Sequence, residues 1–142
     1  MGDLKLTYQV DGGDLVQAGE ASSQMKMTLK KLGLPPEIIR KASVCMYEGE
    51  INMVIHADGG TATVDIGLSD ITITLADQGP GIPDIDQAMQ AGYTTAGEVA
   101  RDLGFGAGMG LPNMKRYSDE MRIDTTVGVG TTVTMRIDIN NG

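Results

Sequence analysis

Asp77-Gln78-Gly79-Pro80-Gly81-Ile82 and Gly104-Phe105-Gly106-Ala107-Gly108-Met109-Gly110-Leu111 bound the stretch around which the rest of the chain is arranged. The first box follows the apolar run Ile71-Thr72-Ile73-Thr74-Leu75-Ala76, and the second precedes a helical pattern. Glycine lets backbone N–H groups approach a ligand with no Cβ in the way. A row of such groups leading into a helix N-terminus favours anions, phosphate above all. Two such turns, one carrying an acid, suggest two sides of one nucleotide pocket. Either box alone reads equally well as an ordinary turn in a glycine-rich chain.

The 142 residues are a single-domain length, enough to bury a sizeable core. The 20 glycines cluster at turns without a repeat, which excludes collagen and linker classes. A net charge of −8 with no basic run argues against direct binding to nucleic acid. Cys45 is the only cysteine, so no intrachain disulfide forms, and a reducing compartment fits. No apolar run reaches the roughly 20 residues of a membrane span. The N-terminal Met1-Gly2-Asp3-Leu4-Lys5 lacks the apolar core of a signal peptide. A soluble cytoplasmic protein, neither membrane-bound nor nucleic-acid-bound, is the expectation.

Outward from the two boxes, the periodicities predict the following elements. Leu4 to Val10 alternates as a strand, and Leu15 to Leu32 reads as a helix with Asp14 as its cap and Gly33 as its stop. Thr61 to Leu68 and Ile71 to Ala76 read as an antiparallel hairpin turning at Ser69-Asp70, with Val64, Ile66 and Leu68 on one face. Asp77 then stands at a strand end, where carboxylates facing a crevice often fix a ligand's polar edge. Asp84 to Ala91 reads as a short helix, and the stretch to Leu103 as part of a lid over about 83–105. Thr94, Thr95 and Arg101 on it read more simply as solvated loop residues than as phosphate contacts. Pro112 to Glu120 reads as a helix, and Met121 to Thr126 and Thr131 to Ile139 as strands joined by Val127-Gly128-Val129-Gly130.

A helix over about Glu37 to Ala57 carries the apolar stripe Ile38, Ala42, Cys45, Gly49 and Met53. Glu48 and Asn52 lie four apart on the stripe's edge, with Val44 and Ile55 on their other side. A carboxylate and an amide leaning into an apolar setting need partners. A metal-bound phosphate and an attacking nucleophile would supply them, although a solvated pair is the simpler reading of Glu-x-x-x-Asn alone. His56, single and without a partner at ligand spacing, reads as a residue that caps or packs the helix end.

Gly-Lys occurs nowhere, so there is no P-loop, and the glycines at 104 to 110 do not meet the Gly-x-Gly-x-x-Gly spacing. Four boxes do occur in order: Glu48-x-x-x-Asn52, Asp77-x-Gly79-x-Gly81-Ile82, Gly106-x-Gly108-x-Gly110-Leu111 and Gly128-x-Gly130-Thr131-Thr132. They resemble the N, G1, G2 and final glycine boxes of the GHKL ATPases, which include gyrase B, histidine kinases and mismatch-repair ATPases. Within that superfamily the chain is similar to the bacterial anti-sigma factors and switch serine/threonine kinases. Gly92-Tyr93-Thr94-Thr95 and Gly110-Leu111-Pro112-Asn113-Met114-Lys115-Arg116 carry that likeness. Ile55 stands where histidine-kinase domains often have a basic residue.

The resemblance implies a single Bergerat-type ATP-binding domain over 1–142. Its fold is an α/β (α+β) two-layer sandwich, a mixed, mostly antiparallel sheet of about five strands with helices on one face. It implies ATP and Mg2+ as cofactors. Asp77 would accept the adenine amino proton, with Thr131 or Thr132 supporting through water. Asn52 would ligate the metal, and Gly79, Gly81, Ile82, Gly106, Gly108, Gly110 and Leu111 would line the nucleotide. Glu48 would be the general base of a kinase acting on an anti-sigma antagonist of the sulfate-transporter/anti-sigma-antagonist (STAS) type. Two alternatives stand beside it: a binding module that uses ATP without turnover to sequester a sigma factor or activate a phosphatase, and a histidine-kinase-like ATPase domain. A homodimer is left open, because the family often dimerises.

Overall fold

The computed structural model describes residues 4–11, 19–56, 59–79 and 110–139. Strand β1 (Leu4–Asp11) is followed by helices α1 (Glu20–Lys31) and α2 (Pro36–His56), then by strands β2 (Gly59–Ile66) and β3 (Asp70–Asp77). Helix α3 (Gly110–Tyr117) and strands β4 (Glu120–Thr126) and β5 (Gly130–Asp138) complete the order. The sheet runs β1-β2-β3-β5-β4. Every pairing between described strands is antiparallel, so the parallel component of the expected mixed sheet is not found among them.

Strand alternation sorts the sheet into two faces. Ala62, Val64 and Ile66, then Ile71, Ile73 and Leu75, then Val133, Met135 and Ile137 are all buried on one face. The residues between them, such as Thr63, Thr74 and Thr134, keep partial exposure on the other. The helices cover the apolar face, and α2 crosses β1, β2, β3 and β5. With one Phe and no Trp in the chain, methionine supplies the bulk that aromatic rings would otherwise give. Met25, Met46, Met114 and Met135 are fully buried and Met53 nearly so.

α2 follows its predicted stripe: Ile38, Ala42, Cys45 and Met53 are all buried. At Gly49, a Cβ would overlap the side chain of Leu75, so the missing methyl sets how closely α2 approaches β3. The Cys45 thiol lies 3.6 Å from the Met114 carbonyl oxygen, which joins α2 to α3. No described helix is long and apolar enough to cross a membrane.

Several predicted boundaries move: the helix read over Pro112 to Glu120 runs from Gly110 to Tyr117, with Glu120 opening β4, and β2 starts at Gly59 rather than Thr61. The β2–β3 turn is Gly67-Leu68-Ser69, closed by the Gly67 N–H donating to the Asp70 carbonyl at 2.9 Å. Leu68 therefore sits at the tip, 72% exposed, and not on the apolar face. Pairing of Ile66 with Ile71 decides this, and alternation along a single strand does not carry that information. α1 starts at Glu20, preceded by Gly19 at φ 96°. Asp14 and the predicted helical residues before Gly19 lie outside the described residues, as do the 84–91 helix and the 83–105 lid. The C-terminus of α1 matches the expectation: Gly33 N–H bonds the Lys30 carbonyl and Leu34 N–H the Leu29 carbonyl, the Schellman pattern.

The N-terminus of α1 is closed by a residue 28 to 29 positions away in sequence. Glu50, only 3% exposed on α2, accepts the Ala21 N–H on Oε2 and the Ser22 N–H on Oε1, both at 3.0 Å. One carboxylate thus satisfies two of the donors that a helix start leaves open, at the positive end of its dipole.

Replacing Glu50 with Ala strands those amides, and a loss of about 2 kcal/mol in stability is expected from urea midpoints. Glu50→Gln, which keeps one acceptor, should fall between. Burial, with Asp119 and Glu48 adding to it, pushes the Cys45 thiol up to about 12 from 9.0. The unfolded thiol loses its proton first, so this contribution to stability is whole below pH 9 and declines as pH climbs toward 12. Iodoacetamide at pH 8.5 should leave Cys45 unmodified in the folded chain and label it once urea is added.

Candidate functional site

The apolar face of the sheet ends in a polar row. Asp77 closes β3, opposite Gly60 of β2 and Thr131 of β5, and Thr131 in turn faces Thr125 of β4. The next row inward is Ala62, Leu75, Val133 and Ile123, wholly apolar. A carboxylate at this margin needs donors. Asp77 Oδ1 accepts the Gly79 N–H at 2.9 Å and the Thr131 N–H at 3.2 Å. Both bonds fall on Oδ1 and leave Oδ2 with no partner among the described residues.

Glycines make room for this arrangement. Gly130 has φ 154°, and a Cβ there would overlap the Asp77 carbonyl oxygen. At Gly60 a Cβ would overlap the Ala76 carbonyl and crowd the Met53 sulfur, so β2 slips beneath α2 beside Asp77. Thr131 is buried, and its hydroxyl lies 2.9 Å from that of Thr125. By alternation Thr132 faces the opposite side of the sheet. Of the two threonines proposed to support Asp77, the structure brings only Thr131 to it.

The second half of the site comes from helices. Glu48 and Asn52 are half-buried one turn apart on α2. Glu48 Oε2 accepts the Asn113 side-chain N–H at 2.6 Å, across 65 residues of sequence. Asn113 stands in the first turn of α3, which begins at Gly110, the last glycine of the second box. Leu111 is buried and anchors that turn in the core. The open N–H groups at the start of α3 thus lie on the element that holds the Glu48 carboxylate, and an anion is favoured there. Glu48 acts on its surroundings too: burial first, then Glu48 and Glu50, raises the Tyr47 hydroxyl above its usual range.

Gly81, Ile82, Gly106, Gly108, Thr94, Thr95 and Arg101 lie outside the described residues. His56 is the last residue of α2. Asn52 makes no hydrogen bond to another described residue, and no three His, Cys, Asp or Glu side chains among the described residues cluster as metal ligands. Sequence reasoning gave no role to Asn113 or Glu50. For Glu50 a signal existed: its neighbours at three and four positions include Met46, Met53 and Val54, so a carboxylate there had to be buried and satisfied. For Asn113 there was none beyond its place after the glycine box.

Comparison with known proteins identifies the family. The sequence profile of the histidine kinase-, DNA gyrase B- and HSP90-like ATPases matches residues 38–141. The chain is 32% identical over 108 residues to the serine/threonine-protein kinase RsbT of Bacillus subtilis, covering 73% of this chain and 75% of that one. It is 36% identical over 104 residues to the anti-sigma F factor of Caldanaerobacter subterraneus, covering 70% and 69%. Two solved structures share the fold. The RsbU and RsbW domains of a Mycobacterium tuberculosis protein align with TM-score 0.64 at 17% identity, over 94% of this chain and 31% of theirs. The SiaB–SiaC complex from Pseudomonas aeruginosa aligns with TM-score 0.57 at 13% identity, over 94% and 89%. The chain belongs to the histidine kinase-, DNA gyrase B- and HSP90-like ATPase family, the GHKL ATPases.

Proposed function

We propose that this protein is an anti-sigma-type regulatory kinase of the cytoplasm, transferring the γ-phosphoryl group of ATP to a serine or threonine of a partner protein. The partner class is a STAS-type anti-sigma antagonist. The observation that carries the reading is the Glu48 carboxylate, half-buried and held on one oxygen by Asn113 at the start of α3.

Asp77 binds the adenine edge: Oδ2 accepts the exocyclic amino proton while Oδ1 stays with its two backbone donors. The glycine boxes, with Gly81, Ile82, Gly106 and Gly108, surround the nucleotide, and the α3 amides take phosphate oxygens. Asn52 fits Mg2+: its amide oxygen is a hard donor, half-buried and without a hydrogen-bond partner among the described residues, and one protein ligand would suffice for an ion held mainly by phosphates. When bound there, the ion would supply neutralisation of phosphate charge. Glu48 Oε1 takes the acceptor hydroxyl proton as that oxygen bonds the γ-phosphorus. The bond to the β,γ-bridging oxygen breaks, and ADP leaves with its electron pair. Asn113 is a positioning residue that aims Oε1 at the nucleophile.

Titration calorimetry in magnesium buffer should show Asp77→Asn weakening ATP binding roughly tenfold or more, because the amide can present an N–H where adenine donates. Unchanged affinity in that variant would remove the adenine assignment. With γ-labelled ATP and a STAS-domain protein, Glu48→Gln should lower transfer by about 10²-fold or more while ATP still binds. ATP binding with no transfer by the unmodified chain would favour the non-catalytic module. Asn113→Ala should cut kcat roughly tenfold and leave KM for ATP nearly unchanged.

A further inference from the structure

The helical layer carries a charge opposite to that of the protein as a whole. α1, α2 and α3 hold seven of the eleven Lys and Arg residues and only four of the nineteen Asp and Glu, in a chain of net charge −8. One of those four acids, Glu50, is buried and occupied as the α1 cap. On the outer side of this layer lies an open groove of about 1360 Å³, floored by α2 and walled by α1 and α3. Its lining includes the exposed Lys26, Lys30 and Arg40, the acids Glu20 and Glu48, and the tyrosines Tyr47 and Tyr117.

The groove has two chemically different ends. α1 and α2 run antiparallel, since Glu50 caps the first turn of α1 and only residues 32–35 join the two helices. Lys30 therefore lies at the Arg40 end, and Gly19 lies at the Tyr47 end. The Arg40 guanidinium stacks 5.6 Å from the centre of the Tyr117 ring, a rigid cationic platform. In the floor, the Ser43 hydroxyl oxygen is buried with no hydrogen-bond partner among the described residues. Tyr47, 38% exposed, stands beside Glu48 at the far end. Exposed tyrosine and arginine around a partly apolar floor are the side chains that anchor protein partners.

We infer that this groove receives an acidic, extended segment of the protein substrate. Lys26, Lys30 and Arg40 hold its carboxylates, and its accepting hydroxyl lies at Glu48. This deepens the kinase reading and rests on it for the role of Glu48. The geometry also sets a spacing. Arg40 and Glu48 are eight residues apart on one helix, about 12 Å at 1.5 Å per residue. An extended chain covers that in about four residues. The recognised segment therefore carries Asp or Glu about four positions from the phosphorylated residue, and the basic residues act as specificity determinants.

Fluorescein-labelled peptides with one central serine test this. One set places paired glutamates four residues before or after the serine, and the matched set places lysines there. Anisotropy with the full chain should show one glutamate register binding at least tenfold tighter than its lysine counterpart, with affinity falling as salt is raised. Lys26→Glu combined with Arg40→Glu should abolish or reverse that preference. Lys31→Glu, exposed on α1 but outside the groove, should not. All three side chains are exposed, so folding is not at stake. Equal binding of both sets, binding of neither at millimolar peptide, or a preference that survives the double charge reversal would overturn the inference. So would self-association of the chain that the double variant abolishes while acidic peptides fail to bind, which would make a second copy the occupant. Calorimetry of ATP with the unmodified chain separates the two readings: ATP binding without peptide discrimination removes the groove assignment alone, and absence of ATP binding removes the kinase reading.

Discussion

Three consecutive residues of α2 tie the fold together. Gly49 presses against Leu75 of the sheet, Glu48 reaches Asn113 of α3, and Glu50 caps α1. A helix advances 100° per residue, so neighbours in sequence point to different sides. The run Glu48-Gly49-Glu50 uses that rotation to fasten one helix to the sheet below and to a helix on either flank. The contact with the sheet sets the position of the other two. Were α2 lifted from β3 by a side chain at 49, both carboxylates would move with it, the one at the site and the one that holds α1.

The site exists because the apolar face of the sheet stops. Three rows of inward-facing aliphatic side chains give way to Gly60, Asp77, Thr131 and Thr125. An acid in that row would be costly among apolar neighbours, and two backbone amides meet its need on one oxygen. What remains is a directed acceptor at the edge of a dry core, the setting in which a hydrogen bond discriminates best between donors and non-donors. The glycines at 60 and 130 are the steric condition for bringing three strands and a helix so close around it.

Much of this was legible in the sequence, for reasons that also explain what was not. Periods of 2 and 3.6 belong to single elements, so β3, the β4–β5 hairpin and the stripe of α2 could be read directly. Asp77 at a strand end followed from the same pattern, and the four ordered boxes pointed to the family. Contacts that join distant parts of the chain leave no periodic trace. Asn113 on Glu48 and Glu50 on α1 span 65 and about 29 residues. Leu68 was misassigned because its pairing partner, not its own neighbours, decides where the turn falls. Thr131 and Thr132 were equivalent until the register with Asp77 separated them.

The sulfur-rich interior gives the folded chain an unequal response to oxidants. Met27 is 60% exposed, whereas Met25, Met46, Met114 and Met135 have no solvent contact at all. Peroxide converts an accessible thioether to a polar sulfoxide that cannot return to a packed core. Met27 will be consumed well before them, and each interior methionine only as often as the structure around it breathes open. Sulfoxide at Met114, on the short helix that steadies Glu48, thus becomes a chemical clock for undocking of that helix, and once formed it would keep the helix from closing again.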